Sequence, residues 1–518
     1  MSLYKSPLSP ILNDTRYQAV LDIETHICDD QNKYQLLSSI NFNELTKSNE
    51  DINLELAKQI LSNIITLLNS NISITDIPNF LIPRIVDLSS FFAFDQDIIN
   101  LSVRIIYFLC SLDDNICYNY VDETVIDFLF KVIDSFLNLN SIMLSFYCLS
   151  EFTNNKKTET RNKLNGLSIL QKTLQFVDSF QNYAYCDQFK NKDIISFSFD
   201  VILNCLISYN FDLEIVEDFI HQLNRYLYLF SQNNESNEVE KKVHRLWQIS
   251  SIQTISAVVS CRPAYKGYFI SDEMIDLLIK LILSDFDFEL EELSIHIFCT
   301  IDNLSFKNDV FSFNLICHDP YLLSFQPPDH WGIKAKSYFC RAIITPIGNI
   351  SICKRLNLYK EYLPKAVEIL EKSAQFLIPL MTQYIETSDF KLRKVASIVL
   401  CQFINLNDSK ILPLATLGYE EIIESLIFLL EDNINSNFVI FLIKSLRTLC
   451  HYGEMISYEN SKPNPFLDLV LNLNILDTLS NIETTYYDSP EVMRNINSFR
   501  NEIDNYKYFR EIDQDQEN

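Results

Sequence analysis

Seven histidines stand at positions 26, 221, 244, 296, 318, 330 and 451, and none falls in a metal-ligand pattern. The nearest approach to zinc spacing is Cys317-His318 with His330 beside Trp331. That run, CHDPYLLSFQPPDHWG, lacks a second pair of ligands, and Pro327 and Pro328 forbid a helix within it. It reads as a loop with satisfied histidines rather than a zinc site. The carboxylate groups Asp285/Asp287, Glu289/Glu291/Glu292 and Glu420/Glu421 could serve acid–base chemistry, but they sit where helices begin, and the helix dipole favours acids there. The sequence contains no GxSxG, HExxH, dinucleotide-binding or phosphate-loop motif. Its 13 cysteines include no CxxC pair, and Cys110, Cys148, Cys205, Cys299, Cys401 and Cys450 lie inside apolar helical patterns, as core residues of a reducing compartment do. These residues point to binding without catalysis and call for no metal, cofactor or small-molecule substrate.

The elements that must position any binding residue are helices, and they recur. FLIPLMTQYIETSDFKLRKVASIVLCQFI, from Phe376, is followed by EIIESLIFLLEDNINSNFVIFLIKSLRTLC, from Glu421. In the second unit Ile422, Ile423, Leu426, Leu429 and Leu430 keep the 3.6-residue period, 432–437 break it, and Val439, Leu442, Ile443, Leu446 and Leu449 resume it. Each unit is a helix pair with a polar elbow, and the two are offset by roughly 45 residues, as in armadillo and HEAT solenoids. SDFDFELEELSI (284–295) echoes TSDFKLRKVASI (387–398), with an acidic elbow leading into a leucine-periodic helix in both. Earlier pairs repeat the pattern: FLIPRIVDLSSFF with INLSVRIIYFLCSL, ETVIDFLFKVIDSFL with SIMLSFYCLSEFT, and DIISFSFDVILNCLISY with EIVEDFIHQLNRYLYLF. The expected fold is an all-α, right-handed superhelical array of about nine to ten armadillo- or HEAT-type repeats.

Composition agrees with an array. Only 6 glycines occur in 518 residues, against an average near 7% that a large α/β enzyme needs for turns and phosphate loops. The net charge of −26 disfavours nucleic acid and anionic membrane as partners and leaves two readings, a basic protein partner or simple solubility of a long solenoid. The start, MSLYKSPLSP, lacks a signal-peptide pattern, and no apolar run approaches the ~18 residues that span a bilayer, so a soluble intracellular protein is expected. Residues 1–70 read as an extension with one or two helices, at Arg16 to Cys28 and LELAKQILSNIITLLNS; 71–510 as the array; 511–518 as a polar, acidic tail. SQNNESNEVEK, from Ser231, reads as an exposed excursion.

From about residue 370 to 510 the chain resembles the importin-α (karyopherin-α) family of armadillo adaptors. Leu417-Gly418 ahead of EEIIESLIFLLED is similar to the family's turn before the second helix of a late repeat. SLRTLCHYGEMISYENSKPNPFLDLVLNLNILDTLSNIE resembles its final repeat, including Gly453-Glu454, Asn464-Pro465 before an aromatic, and the helix at Ile475 to Leu479. Weaker likeness covers DEMIDLLIKLILSD, Cys299 to Leu304 and TPIGNIS around Asn349. The resemblance implies an adaptor in nuclear protein import, shared between cytoplasm and nucleus, whose partners are proteins: basic cargo peptides or folded domains, and transport receptors. In the family the third helix of each repeat lines a groove with a Trp-x-x-x-Asn array, where asparagine amides clamp the cargo backbone and tryptophans slot lysine stems.

Against that pattern the chain departs. Its only tryptophans, Trp247 and Trp331, are not followed by Asn four residues on. The corresponding pairs are Tyr147/Glu151, Ile255/Val259 or Gln253/Ala257, Cys299/Asn303, Thr345/Asn349 and Ser397/Cys401. Groove candidates are therefore Tyr147, Glu151, Asn303 and Asn349; an Asn here can equally satisfy a nearby helix backbone. The first sixty residues hold only Lys5, Arg16, Lys33, Lys47 and Lys58, with no basic importin-β-binding cluster. An alternative is thus an armadillo scaffold that no longer binds nuclear localisation signals. Each lost clamp or aromatic slot is worth about 1 kcal/mol, so losing four weakens peptide binding roughly a thousandfold. A labelled lysine-rich signal peptide titrated by fluorescence anisotropy is expected to show no sub-micromolar binding; such binding, abolished by substituting Asn303 and Asn349, would contradict this.

Overall fold

Polar residues that stop one helix start the next. Asp122 accepts from the backbone N–H groups of Thr124 and Val125 at 3.0 and 3.2 Å, Asn138 from Asn140 and Ser141, Asp389 from Leu392 at 2.8 Å, and Asn435 from Asn437 and Phe438. Each side chain satisfies N–H groups that a helix start leaves orphaned. The computed structural model describes residues 47–68, 80–93, 95–110, 118, 121–136, 138–154, 158–180, 188–231, 238–283, 288–318, 321–387, 389–416, 419–431, 435–460 and 462–517. Outside them lie the helix expected at Arg16 to Cys28, the elbow 284–287, most of the 231–241 excursion and the Leu417-Gly418 turn.

The described residues divide into two compact units, up to 268 and from 269 onward. In the first, helices α1 (Leu54–Leu68), α2 (Leu81–Phe91), α3 (Gln96–Cys110), α4 (Glu123–Ser135), α5 (Leu139–Thr153), α6 (Thr158–Lys163), α7 (Gly166–Phe180), α8 (Gln188–Ser208), α9 (Leu213–Ser231) and α10 (Glu238–Cys261) form two rows. An inner row stacks α1 on α3, α3 on α5, α5 on α8 and α8 on α10; α2, α4, α7 and α9 cover it as an outer row. The helix α1, placed by sequence in the extension, is the inner row's first member, tied to the turn before α3 and to its first residues by Lys58 with Asp95 and Asp97 at 2.9 and 2.7 Å. The start of α10 at Glu238 turns the end of the expected excursion into helix.

The second unit repeats the plan with α11 (Asp272–Leu283), α12 (Phe288–Ser305), α13 (Asp309–His318), α14 (Tyr321–Ser324), α15 (Ile333–Leu356), α16 (Leu363–Ile385), α17 (Phe390–Asn405), α18 (Leu412–Ala415), α19 (Tyr419–Glu431), α20 (Ser436–Asn460), α21 (Pro465–Asn472), α22 (Ile475–Thr485) and α23 (Pro490–Glu517). Here the inner row is α12, α15, α17, α20 and α23, each packed on the next. Short helices such as α18 and α21 precede the outer helices α19 and α22, giving the three-helix repeat of an armadillo array. The proline pair 327–328 lies in the non-helical stretch before α15, as expected, but the run read as a loop is partly helical: Cys317 and His318 end α13, and 321–324 form α14, because the prolines bar helix only around themselves.

In the last described repeat, Gly453 and Asn464 meet in one close contact. Asn464 is buried, caps α21 by accepting from Phe466 and Leu467, and donates to the Cys450 carbonyl of α20 at 2.8 Å. Gly453 leaves the room: a Cβ there would lie 2.1 Å from Asn464 Oδ1 and 2.4 Å from the Phe466 ring. Gly453→Ala is therefore expected to destabilise residues 436–517 by about 1–3 kcal/mol, and Asn464→Ala by about 2 kcal/mol, through lost packing, cap and buried hydrogen bond. Hydrogen exchange resolved by segment checks this; unchanged protection in α20 and α21 would count against it.

Candidate partner-binding faces

Inner helices are buried against neighbours on three sides and expose one stripe. On α12 that stripe runs through Glu292, His296, Cys299, Asn303 and Phe306; on α15 through Lys334, Tyr338, Arg341 and Thr345; on α17 through Lys391, Lys394, Gln402 and Asn405; on α20 through Phe441, Lys444, Thr448 and His451. The three- and four-residue spacing keeps each set on one helical face.

The four groove candidates take different places. Tyr147 is buried, with its ring 4.8 Å from Tyr107 of α3 and 5.4 Å from Phe197 of α8, so three successive inner helices contribute one aromatic each. Glu151 is half-buried one turn further along α5. Asn303 is half-buried on the α12 stripe, its amide 3.7 Å from Cys299 Sγ. Asn349 turns toward the previous repeat, donating to the Ser305 carbonyl at 2.9 Å and to Ser312 Oγ at 2.8 Å, which satisfies the end of α12. Thr345, one turn earlier, donates to Asp302 at 2.6 Å.

Other inner helices do the same. Asn204 of α8 donates to the Ser150 carbonyl of α5 at 3.0 Å, Arg262 to the Ile207 carbonyl at the end of α8 at 2.8 Å, and Asn405 of α17 to Ser445 of α20 at 2.8 Å. These polar links tie repeats together. Reading the family pattern onto the sequence finds Asn349 but not Asn204, in the apolar last turns of α8, or Arg262, just past the end of α10. Ser397, Cys401, Ile255 and Val259 are fully buried, and the Ser397 hydroxyl meets that of Ser425 on α19 at 3.3 Å. Trp247 packs on Phe199 and Tyr226, and Trp331 on Phe325; both are core residues.

Charge is one-sided on several helices of the second unit, with the inner helix α12 bearing Glu289, Glu291, Glu292 and Asp302 and no Lys or Arg. The inner helices α15 and α17 carry Lys334, Lys336, Arg341, Lys354, Arg355, Lys391, Arg393 and Lys394 and no acid, and α20 carries Lys444 and Arg447 before its first acid, Glu454. The outer helix α19 carries Glu420, Glu421, Glu424 and Glu431 and no cation. Part of the positive charge is spent: Lys354 pairs with Asp408 at 2.9 Å and Arg447 with Glu502. Burial alone would push the Asp408 carboxyl up, but hydrogen bonds from Lys354 and the Lys410 backbone hold it below the usual range. Burial keeps the Tyr338 phenol above its ordinary pKa, so that side chain is neutral at physiological pH. Burial likewise pushes the Cys401 thiol up to about 12, that of an inert core cysteine. Among the described residues no group of three or more His, Cys, Asp or Glu is placed to hold a metal ion, and no helix is long and apolar enough to cross a membrane.

Among solved structures, an engineered protein is similar at 12% identity with a TM-score of 0.56, over 91% of this chain and 98% of that one. This chain is an all-α helical-repeat solenoid. Kap121p bound to RanGTP is also similar, at 12% identity and a TM-score of 0.46, over 90% of this chain and 44% of that one; likeness at this level carries nothing about function. No protein-family model matches the sequence, and no curated protein matches it.

Proposed function

We propose that this protein is an armadillo-type scaffold that binds protein partners along the exposed stripes of its inner helices, with binding and not catalysis as its activity. The observation that carries the reading is the stripe itself, left open on successive inner helices whose other sides are buried. The array proposed runs over 71–510, with α1 of the 1–70 extension as its cap and 511–518 as its tail. Tyr147 supplies the floor of an aromatic row in the first unit, with Glu151 beside it. Asn303 is the candidate clamp in the second unit, and Asn349 positions the helix that presents it.

Within this reading, a divergent importin-α-like adaptor moving between cytoplasm and nucleus rests on the carboxy-terminal resemblance. Two observations favour instead a scaffold that does not take lysine-rich signals. The Asn349 amide is committed to Ser305 and Ser312, and the stripes of α15, α17 and α20 are cationic, which repels lysine. Proximity labelling with the full chain tests the proposal. Stripe variants Phe197→Ala and Lys394→Glu/Lys444→Glu are expected to lose partners that an outer-row Glu420→Lys/Glu424→Lys variant keeps. An identical partner set in all variants would contradict it, and recovery of importin-β with basic nuclear proteins would return the transport role.

A further inference from the structure

The cations on α15, α17 and α20 outnumber what the fold uses. Lys334 on α15, Lys391 and Lys394 on α17, and Lys444 on α20 make no ion pair with any carboxylate among the described residues. Lys334 and Lys391 are exposed, and Lys394 and Lys444 half-buried. They lie on three helices stacked side by side: the Gln402 amide of α17 lies against Gly348 of α15, and Asn405 of α17 bonds Ser445 of α20. The Lys394 ammonium is held between rings, 6.0 Å from the Phe390 centroid and 5.6 Å from that of Phe438, which fixes it at low entropic cost. In a chain of net charge −26, these unpaired lysines fall on three consecutive inner helices, of which α15 and α17 carry no acid and α20 none before Glu454.

We propose that this face docks an acidic, extended polypeptide segment of a partner protein. The inference rests on the scaffold reading and names its partner class. Charge complementarity selects the sign. At physiological salt the screening length is about 8 Å, so a segment laid over α15, α17 and α20 feels these lysines most strongly. Geometry sets the form of the ligand. Three inner helices packed about 10 Å apart span about 20 Å, which an extended chain crosses in about six residues, placing a carboxylate over each helix at about every third position. Phe390, 39% exposed, and the half-buried Phe441 offer apolar surface between the cations for the intervening side chains. A nucleic acid would need a denser run of cations tracking phosphates and bases stacked on exposed rings.

The test titrates the full chain with a fluorescein-labelled peptide of about a dozen residues bearing Asp or Glu at every third position, read by anisotropy. Micromolar binding is expected, steeply weakened by salt. Lys391→Glu/Lys394→Glu/Lys444→Glu should weaken it about tenfold or more, and the uncharged Lys→Gln set by less, while the outer-row Lys280→Glu leaves it unchanged. Circular dichroism checks that each variant is folded; were the Glu set unfolded, the Gln set and the salt dependence of the wild type carry the decision. No binding, or binding indifferent to these variants, overturns the proposal. So does an oligouridine that binds as tightly and responds to the same substitutions. If the peptide fails while stripe variants still shed protein partners, the acidic-ligand inference falls and the scaffold reading stands.

Discussion

No helix pair in this chain can bury its own apolar surface, and the rest of the structure follows from that constraint. The helix Phe390–Asn405 shows it plainly: Leu392, Val395, Ala396, Ile398, Val399, Leu400, Cys401, Phe403 and Ile404 are all buried, far more than one facing helix could cover. The helices at 363–385, 333–356 and 436–460 enclose it on three sides. Stacking then brings helix ends into partly buried positions, where their last carbonyls lose water. Asn349 reaching Ser305, Arg262 reaching Ile207 and Asn204 reaching Ser150 meet that requirement.

What remains is a single open side on each inner helix, and composition of that stripe is where the two units differ. The first joins Tyr107, Tyr147 and Phe197 into an aromatic row. The second concentrates lysine and arginine on 333–356, 390–405 and the start of 436–460, while its helices 288–305 and 419–431 carry acids and no Lys or Arg. One scaffold thus carries two chemically distinct surfaces, each set by a few residues at three- and four-residue spacing. Such surfaces can change without touching the core, because the core needs only the other three sides.

Much of the fold was legible in the sequence. Apolar periodicity placed the helix pairs, and the acidic elbow at Asp389 and the Asn464-Pro465 entry announced two of their starts. The pair Gly453 and Asn464, noticed as a family likeness, has its cause in one close contact. The site was less legible. Asn303 lies on the exposed stripe, but Ser397 and Cys401, read into the same pattern, lie in the core, Ser397 with its hydroxyl against Ser425 of the helix 419–431. Asn349 sits at the expected level yet serves the previous repeat. The cations gathered on 333–356, 390–405 and the start of 436–460 were hidden by a net charge of −26, a sum that says nothing of which helix bears which sign.

Stability built from neighbour contacts alone should be local. Native-state hydrogen exchange on the full chain carrying Leu400→Ala, at a fully buried position of the helix 390–405, measures this directly. Protection should fall in 390–405 and in the helices 333–356 and 436–460 packed on it, and stay unchanged at 96–110 and 139–153. A uniform loss across the chain would contradict the account, since it would show one cooperative core where the structure provides only stacked repeats.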